Sequence, residues 1–341
     1  MESIFFSLGT GYEALIGAGA ASLTGSTAAR IIKGRRAAVI TDSGVPRAHV
    51  EQIRASLAEA GFSAGVFAVP EGETTKNLKT VEDLYAFFSG LSLTRQDCVI
   101  GVGGGVVGDA AGFAAATYLR GVPFISAPTT VISQTDSAYG GKTGVDHLGI
   151  KNAVGCFAHP RAVIADPALL LTLPERERVS GMGEVIKYGA IADPSILSSV
   201  SRALPDEGTI AACVRIKKRF CEADELDMGE RRVLNFGHTY GHAIESASDL
   251  TVPHGQAVAY GMLAAARLGE RVGVTEKGVY EAILAACEKA GLDTDWRPAL
   301  DNALPYLIKD KKSDGETIET VLLTRLGNPE RVRMRSEEMM L

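Results

Sequence analysis

Between residues 36 and 166 the sequence alternates short β-rich runs with amphipathic stretches, and this alternation restricts the possible folds more than any other feature. RAAVIT (36–41), FSAGVFAV (62–69), DCVIGV (97–102), VPFISA (122–127) and RAVIAD (161–166) read as strands. Helices are predicted over about 45–60 and 74–89, and an Ala-rich helix follows GGGVVGD to about Tyr118. Strands alternating with helices imply right-handed crossovers and a mostly parallel sheet covered on both faces. The expected fold is therefore an α/β, doubly wound, Rossmann-like N-terminal domain. After about Leu173 helical periodicity takes over and continues to about Lys312. The expected domains are 1–172, α/β, and 173–341, mainly α-helical. The last stretch, TIETVLLTRLGNPERVRM, reads as a hairpin about Gly327-Asn328.

Open α/β sheets bind ligands at the carboxyl ends of their strands. Three loops there carry chemistry. TDSGVP places Asp42 just beyond a strand, where a carboxylate can accept hydrogen bonds from a ribose diol. PEGETTKN supplies Glu73 and Lys76. Gly103 to Gly108 fits GxGxxG between a strand and a helix, a pattern that lets backbone approach a pyrophosphate. It departs from the dinucleotide fingerprint, because it follows the third predicted strand and has no acidic residue ~20 positions later. A bound dinucleotide must then take its ribose carboxylate from elsewhere, and Asp42 is the candidate. Gly140-Gly141-Lys142-Thr143 ends like a P-loop, but Asp136 stands where its first Gly must be, which excludes that motif.

Three of the six histidines fall between Arg231 and His254. His238 and His242 are four apart and share a helix face, with Glu245 on that face too. His254 opens the next apolar segment. Imidazoles converging from a helix and the start of its neighbour suit a divalent metal, with zinc the first choice. The His-Glu-x-x-His protease motif is absent, because Thr239 replaces the general base.

Length, 341 residues, allows two domains. Net charge is −6 with no long basic run, so neither nucleic acid nor an anionic membrane is an expected partner. No apolar run reaches the ~18 residues that cross a bilayer. The first residues, MESIFFSLGTGYEALIG, lack the basic start and long apolar core of a signal peptide. Five scattered cysteines without a CxxC pair fit a reduced, cytoplasmic compartment.

Six ordered motifs, GVGGGVVGDAAGFAAATYLRG, PTTVISQTDSAYGGKTGVD, GIKNAVGCF, SGMGEVIKYG, VLNFGHTYGHAIE and HGQAVAYGM, resemble those of the sugar phosphate cyclase family, and within it the 3-dehydroquinate synthases. The resemblance covers roughly residues 36 to 325. It implies an NAD- and zinc-dependent lyase, with Co2+ a possible substitute for zinc. The implied reaction cyclises 3-deoxy-D-arabino-heptulosonate 7-phosphate to 3-dehydroquinate with loss of phosphate, in the shikimate pathway. Sibling cyclases of the 2-deoxy-scyllo-inosose or epi-valiolone type, and a metal-dependent alcohol dehydrogenase, are the alternatives. By the same resemblance, Glu184, His238 and His254 hold the metal, and His242 lies beside the substrate instead. NAD lies against Asp42, Glu73, Lys76, Gly104, Gly105, Asp109, Thr129 and Thr130. Catalytic roles fall to Asp136, Lys142, Lys187, Asn235 and His242. Lys151, Asn152, Lys217 and Arg231 bind substrate, together with Lys312 or its neighbour Lys311. Arg120 is expected to reach the active site of a partner subunit in a homodimer.

Overall fold

A computed structural model describes residues 1–249, 251–309 and 317–341, and in it the strand–helix alternation closes into a seven-stranded sheet. The strands are β1 (Glu2–Phe6), β2 (Tyr12–Ile16), β3 (Arg36–Asp42), β4 (Ser63–Val69), β5 (Cys98–Gly103), β6 (Phe124–Pro128) and, after a separate antiparallel pair β7 (Lys142–His147) and β8 (Ile150–Phe157), β9 (Ala162–Ala165). Their order is β1-β2-β9-β6-β5-β3-β4. β1 runs antiparallel to β2, and the other pairings in this sheet are parallel.

Side chains alternate across a strand, so each central strand feeds two cores. Ala37, Val39, Ile100 and Val102 pack under helices α1 (Thr24–Ile31) and α2 (Arg47–Glu59). Ala38, Ile40 and Val99 pack against α3 (Leu78–Gly90) and α4 (Gly105–Thr117). β5 is buried along its whole length, which is why it reads as one apolar run. The predicted strands and helices of residues 36–166 are all present, with ends shifted by a few residues. The sequence reading passed over β1, β2, α1 and the β7–β8 pair. β8 buries almost nothing (its residues alternate between exposed and half-buried), so it has no apolar periodicity to read.

The remaining helices are α5 (Glu175–Ile191), α6 (Ser195–Ser199), α7 (Glu207–Ala223), α8 (His238–Ala247), α9 (His254–Arg271), α10 (Val279–Ala290) and α11 (Trp296–Lys309). They precede the hairpin β10 (Thr317–Arg325) and β11 (Asn328–Arg335), which turns at Gly327, φ 80°. The chain forms two compact units: Met1–Leu173 with Asp206–Leu226, and Pro174–Pro205 with Asp227–Leu341. The expected boundary at 172/173 put residues 206–226 with the second domain. The structure returns them to the first unit, because α7 packs on β1, β2 and the π-helical turn Ser133–Ser137. No described helix is long and apolar enough to cross a membrane.

Candidate functional site

In the first unit, β4 lies on one side of β3 and β5 on the other, so the strand order reverses at β3. The crevice outside the carboxyl ends at such a switch is where open sheets take ligands. Asp42 ends β3 and Gly103 ends β5. One oxygen of Asp42, Oδ1, accepts the backbone N–H of Gly44 at 2.8 Å and Val45 at 3.1 Å, which pins the turn into α2. Gly104 caps α4 so close to Thr130 that a Cβ would sit 3.0 Å from its methyl group. Thr129 donates its N–H to the Gly103 carbonyl at 2.9 Å. Gly104, Gly105, Gly108, Asp109, Ser137 and Lys142 line a pocket at this turn. Gly108 closes the GxGxxG pattern, whereas Ser137 was not among the candidate residues.

Lys76 is buried, and its ammonium lies 2.7 Å from Asp109, 2.6 Å from Asn152 Oδ1 and 3.9 Å from Glu73. Burial alone lowers the Lys76 pKa, but the Asp109 and Glu73 carboxylates outweigh it and raise the value. Asn152, φ 52°, takes a left-handed turn on β8 and donates its N–H to Asp146 at 2.7 Å. Lys217 on α7 reaches Asp136 at 2.8 Å. Lys142 begins β7 and is exposed, and Lys151 on β8 is half-buried. Leu119 and Arg120 both have positive φ, 50° and 64°, in a tight turn that leaves Arg120 exposed.

In the second unit, α5 is buried from Ser180 to Ile191, and Glu184 is fully enclosed. Its position follows from backbone contact between helices. A Cβ on Gly183 would fall 2.1 Å from the Gly255 carbonyl oxygen, and one on Gly255 would fall 1.8 Å from that of Ser180. Only glycine permits this approach, and the glycines neighbour Glu184 and His254. His238 opens α8 after Gly237, φ 80°, and His254 opens α9 after Pro253. Glu184, His238 and His254 each offer a ligand atom, all within 4.8 Å of one another. Glu184 Oε1 is 3.1 Å from His254 Nε2 and 3.4 Å from His238 Nε2. One carboxylate and two imidazoles are a donor set suited to zinc.

The charges of this cluster act on one another. Lys187, one turn on from Glu184, places its ammonium 2.5 Å from Oε2. Burial alone raises the Glu184 pKa, yet Lys187 and His238 outweigh it and hold the carboxyl well below the usual range. Burial alone lowers the His254 pKa, while its contacts with Glu184 and Glu245 push it up to about 10. The His242 ring is edge-on to His238, centroids 5.3 Å apart, and lies outside the ligand triad. Arg231 is buried and Asn235 exposed, both on the short 3-10 helix just before α8. Lys311 and Lys312 lie outside the described residues.

Residues 66–180 match the 3-dehydroquinate synthase N-terminal family and residues 181–313 the 3-dehydroquinate synthase C-terminal family. The chain belongs to the 3-dehydroquinate synthase family. It is 43% identical over 338 residues to the 3-dehydroquinate synthase of Streptococcus sanguinis, covering 96% of this chain and 95% of that one. Identity to the 3-dehydroquinate synthase of Streptococcus suis is 41% over 344 residues, 97% and 96% of the two chains. Among solved structures, a 2-deoxy-scyllo-inosose synthase complexed with carbaglucose-6-phosphate, NAD+ and Co2+ superposes with a TM-score of 0.90 at 26% identity, covering 99% and 98%. The 2-epi-5-epi-valiolone synthase of Streptomyces hygroscopicus, with NAD+ and Zn2+ bound, gives 0.83 at 22%, covering 96% and 94%, and supports the fold.

Proposed function

We infer that the chain is a 3-dehydroquinate synthase, converting 3-deoxy-D-arabino-heptulosonate 7-phosphate to 3-dehydroquinate and phosphate. The observation that carries this reading is the Glu184–His238–His254 donor set, standing in a chain that belongs to the synthase family.

Glu184, His238 and His254 would hold the metal, and the donor chemistry fits zinc or cobalt. A divalent ion supplies Lewis-acid charge that lowers the pKa of a hydroxyl bound to it. In the first unit, the backbone of Gly104 and Gly105 would face the NAD pyrophosphate, and the Asp42 carboxylate would face a ribose diol. NAD+ supplies a hydride acceptor that is regenerated within each turnover, so the reaction is redox-neutral.

The chain's own groups do the rest. Lys142 and Lys151 are compact ammonium charges for the substrate phosphate. Arg231 offers a planar fork for the carboxylate. His242, beside the two ligand imidazoles, is the group to take or give a proton. The Lys187 ammonium keeps Glu184 ionised. Asp136 and Lys217 hold one another in place, so each can present a fixed polar group to substrate.

The cytoplasm suits five cysteines that form no disulfide. A homodimer, with Arg120 reaching the partner's active site, completes the proposal. The turn at Leu119-Arg120, with positive φ at both residues, supports it, since Arg120 is exposed there and open to a second chain.

Product identification by NMR, together with phosphate and NADH assays, tests the reading. Dehydroquinate and phosphate should form with no net NADH. Net NADH would point to a dehydrogenase, and turnover of a neutral sugar phosphate alone would point to a sibling cyclase.

A further inference from the structure

Glu245 lies on α8 seven residues after His238, so both side chains leave the same helix face. It is a carboxylate with only 3% exposure. Its Oε1 is 3.3 Å from His254 Nδ1, while the other ring nitrogen, Nε2, is 3.1 Å from Glu184 Oε1. The His254 imidazole is thus held between two buried carboxylates, one at each nitrogen. His238 is held differently: its Nδ1 is 3.2 Å from the Phe236 carbonyl oxygen, a neutral acceptor two residues back. His254 opens its helix directly after Pro253, whose carbonyl already accepts the Ala257 N–H at 2.9 Å. At His254 the group facing Nδ1 is instead a side chain on another helix.

We propose that Glu245 is a positioning residue, which accepts the Nδ1–H of His254 and so fixes the tautomer and ring orientation that present the Nε2 lone pair to a metal. The proposal rests on the reading of Glu184, His238 and His254 as metal ligands. A neutral imidazole donates from one nitrogen and coordinates through the other, so the partner of the first decides the direction of the second. A charged acceptor also makes the ring a stronger donor, and such outer partners are typically worth about 10- to 100-fold in metal affinity. Glu245 touches the ligand and not the metal, so its effect should appear in metal binding before it appears in turnover.

The test uses the full chain, stripped of metal with a chelator and titrated with zinc against a competing dye. Cobalt-loaded samples report the coordination sphere by visible absorption. Glu245→Ala should weaken zinc binding roughly 10- to 100-fold and shift the cobalt bands. Glu245→Gln keeps an acceptor without the charge and should lose less. It decides the matter if the Ala variant fails to fold. A merely structural role would lower the melting temperature of the stripped protein and leave zinc affinity and the cobalt bands of the Gln variant unchanged, which overturns the proposal. His254→Ala separates the two readings. If it loses zinc while both Glu245 variants bind like wild type, only the positioning role fails. If wild type binds no zinc, or His254→Ala binds it normally, the metal reading fails and this proposal with it.

Discussion

Lys187 Nζ lies 2.5 Å from Glu184 Oε2, one helical turn along α5, and both side chains are almost wholly buried. Two charges in such a place are retained only because each compensates the other. The pair holds Glu184 as a carboxylate, the form in which it can be a ligand. Glu184→Gln should therefore remove bound zinc and activity together, with the far-UV circular dichroism spectrum unchanged. Breaking a buried pair by removing one partner costs about 3–5 kcal/mol, so the melting temperature should fall as well. Full zinc occupancy in this variant, by elemental analysis, would remove Glu184 from the ligand set.

The role proposed for Arg231, binding the substrate carboxylate, makes it the residue to test for substrate preference. The heptulosonate carries a carboxylate that neutral sugar phosphates lack, and Arg231 is 2% exposed. Losing one partner of a desolvated charge pair costs ~2–5 kcal/mol. Arg231→Ala should lower kcat/KM for the heptulosonate phosphate by roughly 30- to 4000-fold, with zinc content unchanged. Arg231→Lys keeps the charge but loses the fork, and should fall between. Wild type should barely turn over sedoheptulose 7-phosphate. Brisk conversion of that sugar, with Arg231→Ala nearly silent, would mark a sibling cyclase.

Arg120 offers a test by mixing. If each active site takes Lys142 from one chain and Arg120 from the other, Arg120→Ala and Lys142→Ala chains are each inactive alone. In an equilibrated mixture, half the dimers carry one intact site, so activity should return to about a quarter of wild type. No recovery after subunit exchange, or full activity from a monomer, argues against a shared site.

Asp97 gives the fold a pH dependence. Its carboxylate is buried and accepts the N–H and hydroxyl of Thr94, each at 2.8 Å, and the N–H of Arg36 at 3.0 Å. Burial alone raises its pKa, but these donors outweigh it and lower the value. A folded pKa below the unfolded one stabilises the protein above the unfolded value, about 3.9, and the gain is lost as pH falls through the folded value. Asp97→Ala should cost about 1.5–3 kcal/mol in urea unfolding at neutral pH. The gap between the two proteins should narrow on acidification below about pH 4. An unchanged gap in acid would show that the charge of Asp97 contributes nothing.

The strand and helix positions of residues 36–166 were legible because each depends on its own short periodicity. A buried central strand such as β5 is apolar throughout, and α2 and α3 carry their apolar stripes within one stretch of chain. β1, β2, β7 and β8 were not, since they form antiparallel pairs outside the strand–helix alternation and β8 buries little. The placement of α7 was equally hidden, because a helix's own pattern does not say which sheet it covers.

At the candidate site the same limit is sharper. Helical spacing pairs His238 with His242, and spacing alone gave no reason to choose Glu184, which the family motif supplied. The structure sets His254 against Glu184, 70 residues apart in the chain. Gly183 and Gly255 permit that meeting by letting two helix backbones touch, a contact no single element encodes. The alternating elements of residues 36–166, the glycine turn and the stock of ligand-capable side chains are properties of short stretches of chain and could be read there. Which of those side chains converge was decided by helix packing, because convergence is a property of two surfaces and periodicity describes only one.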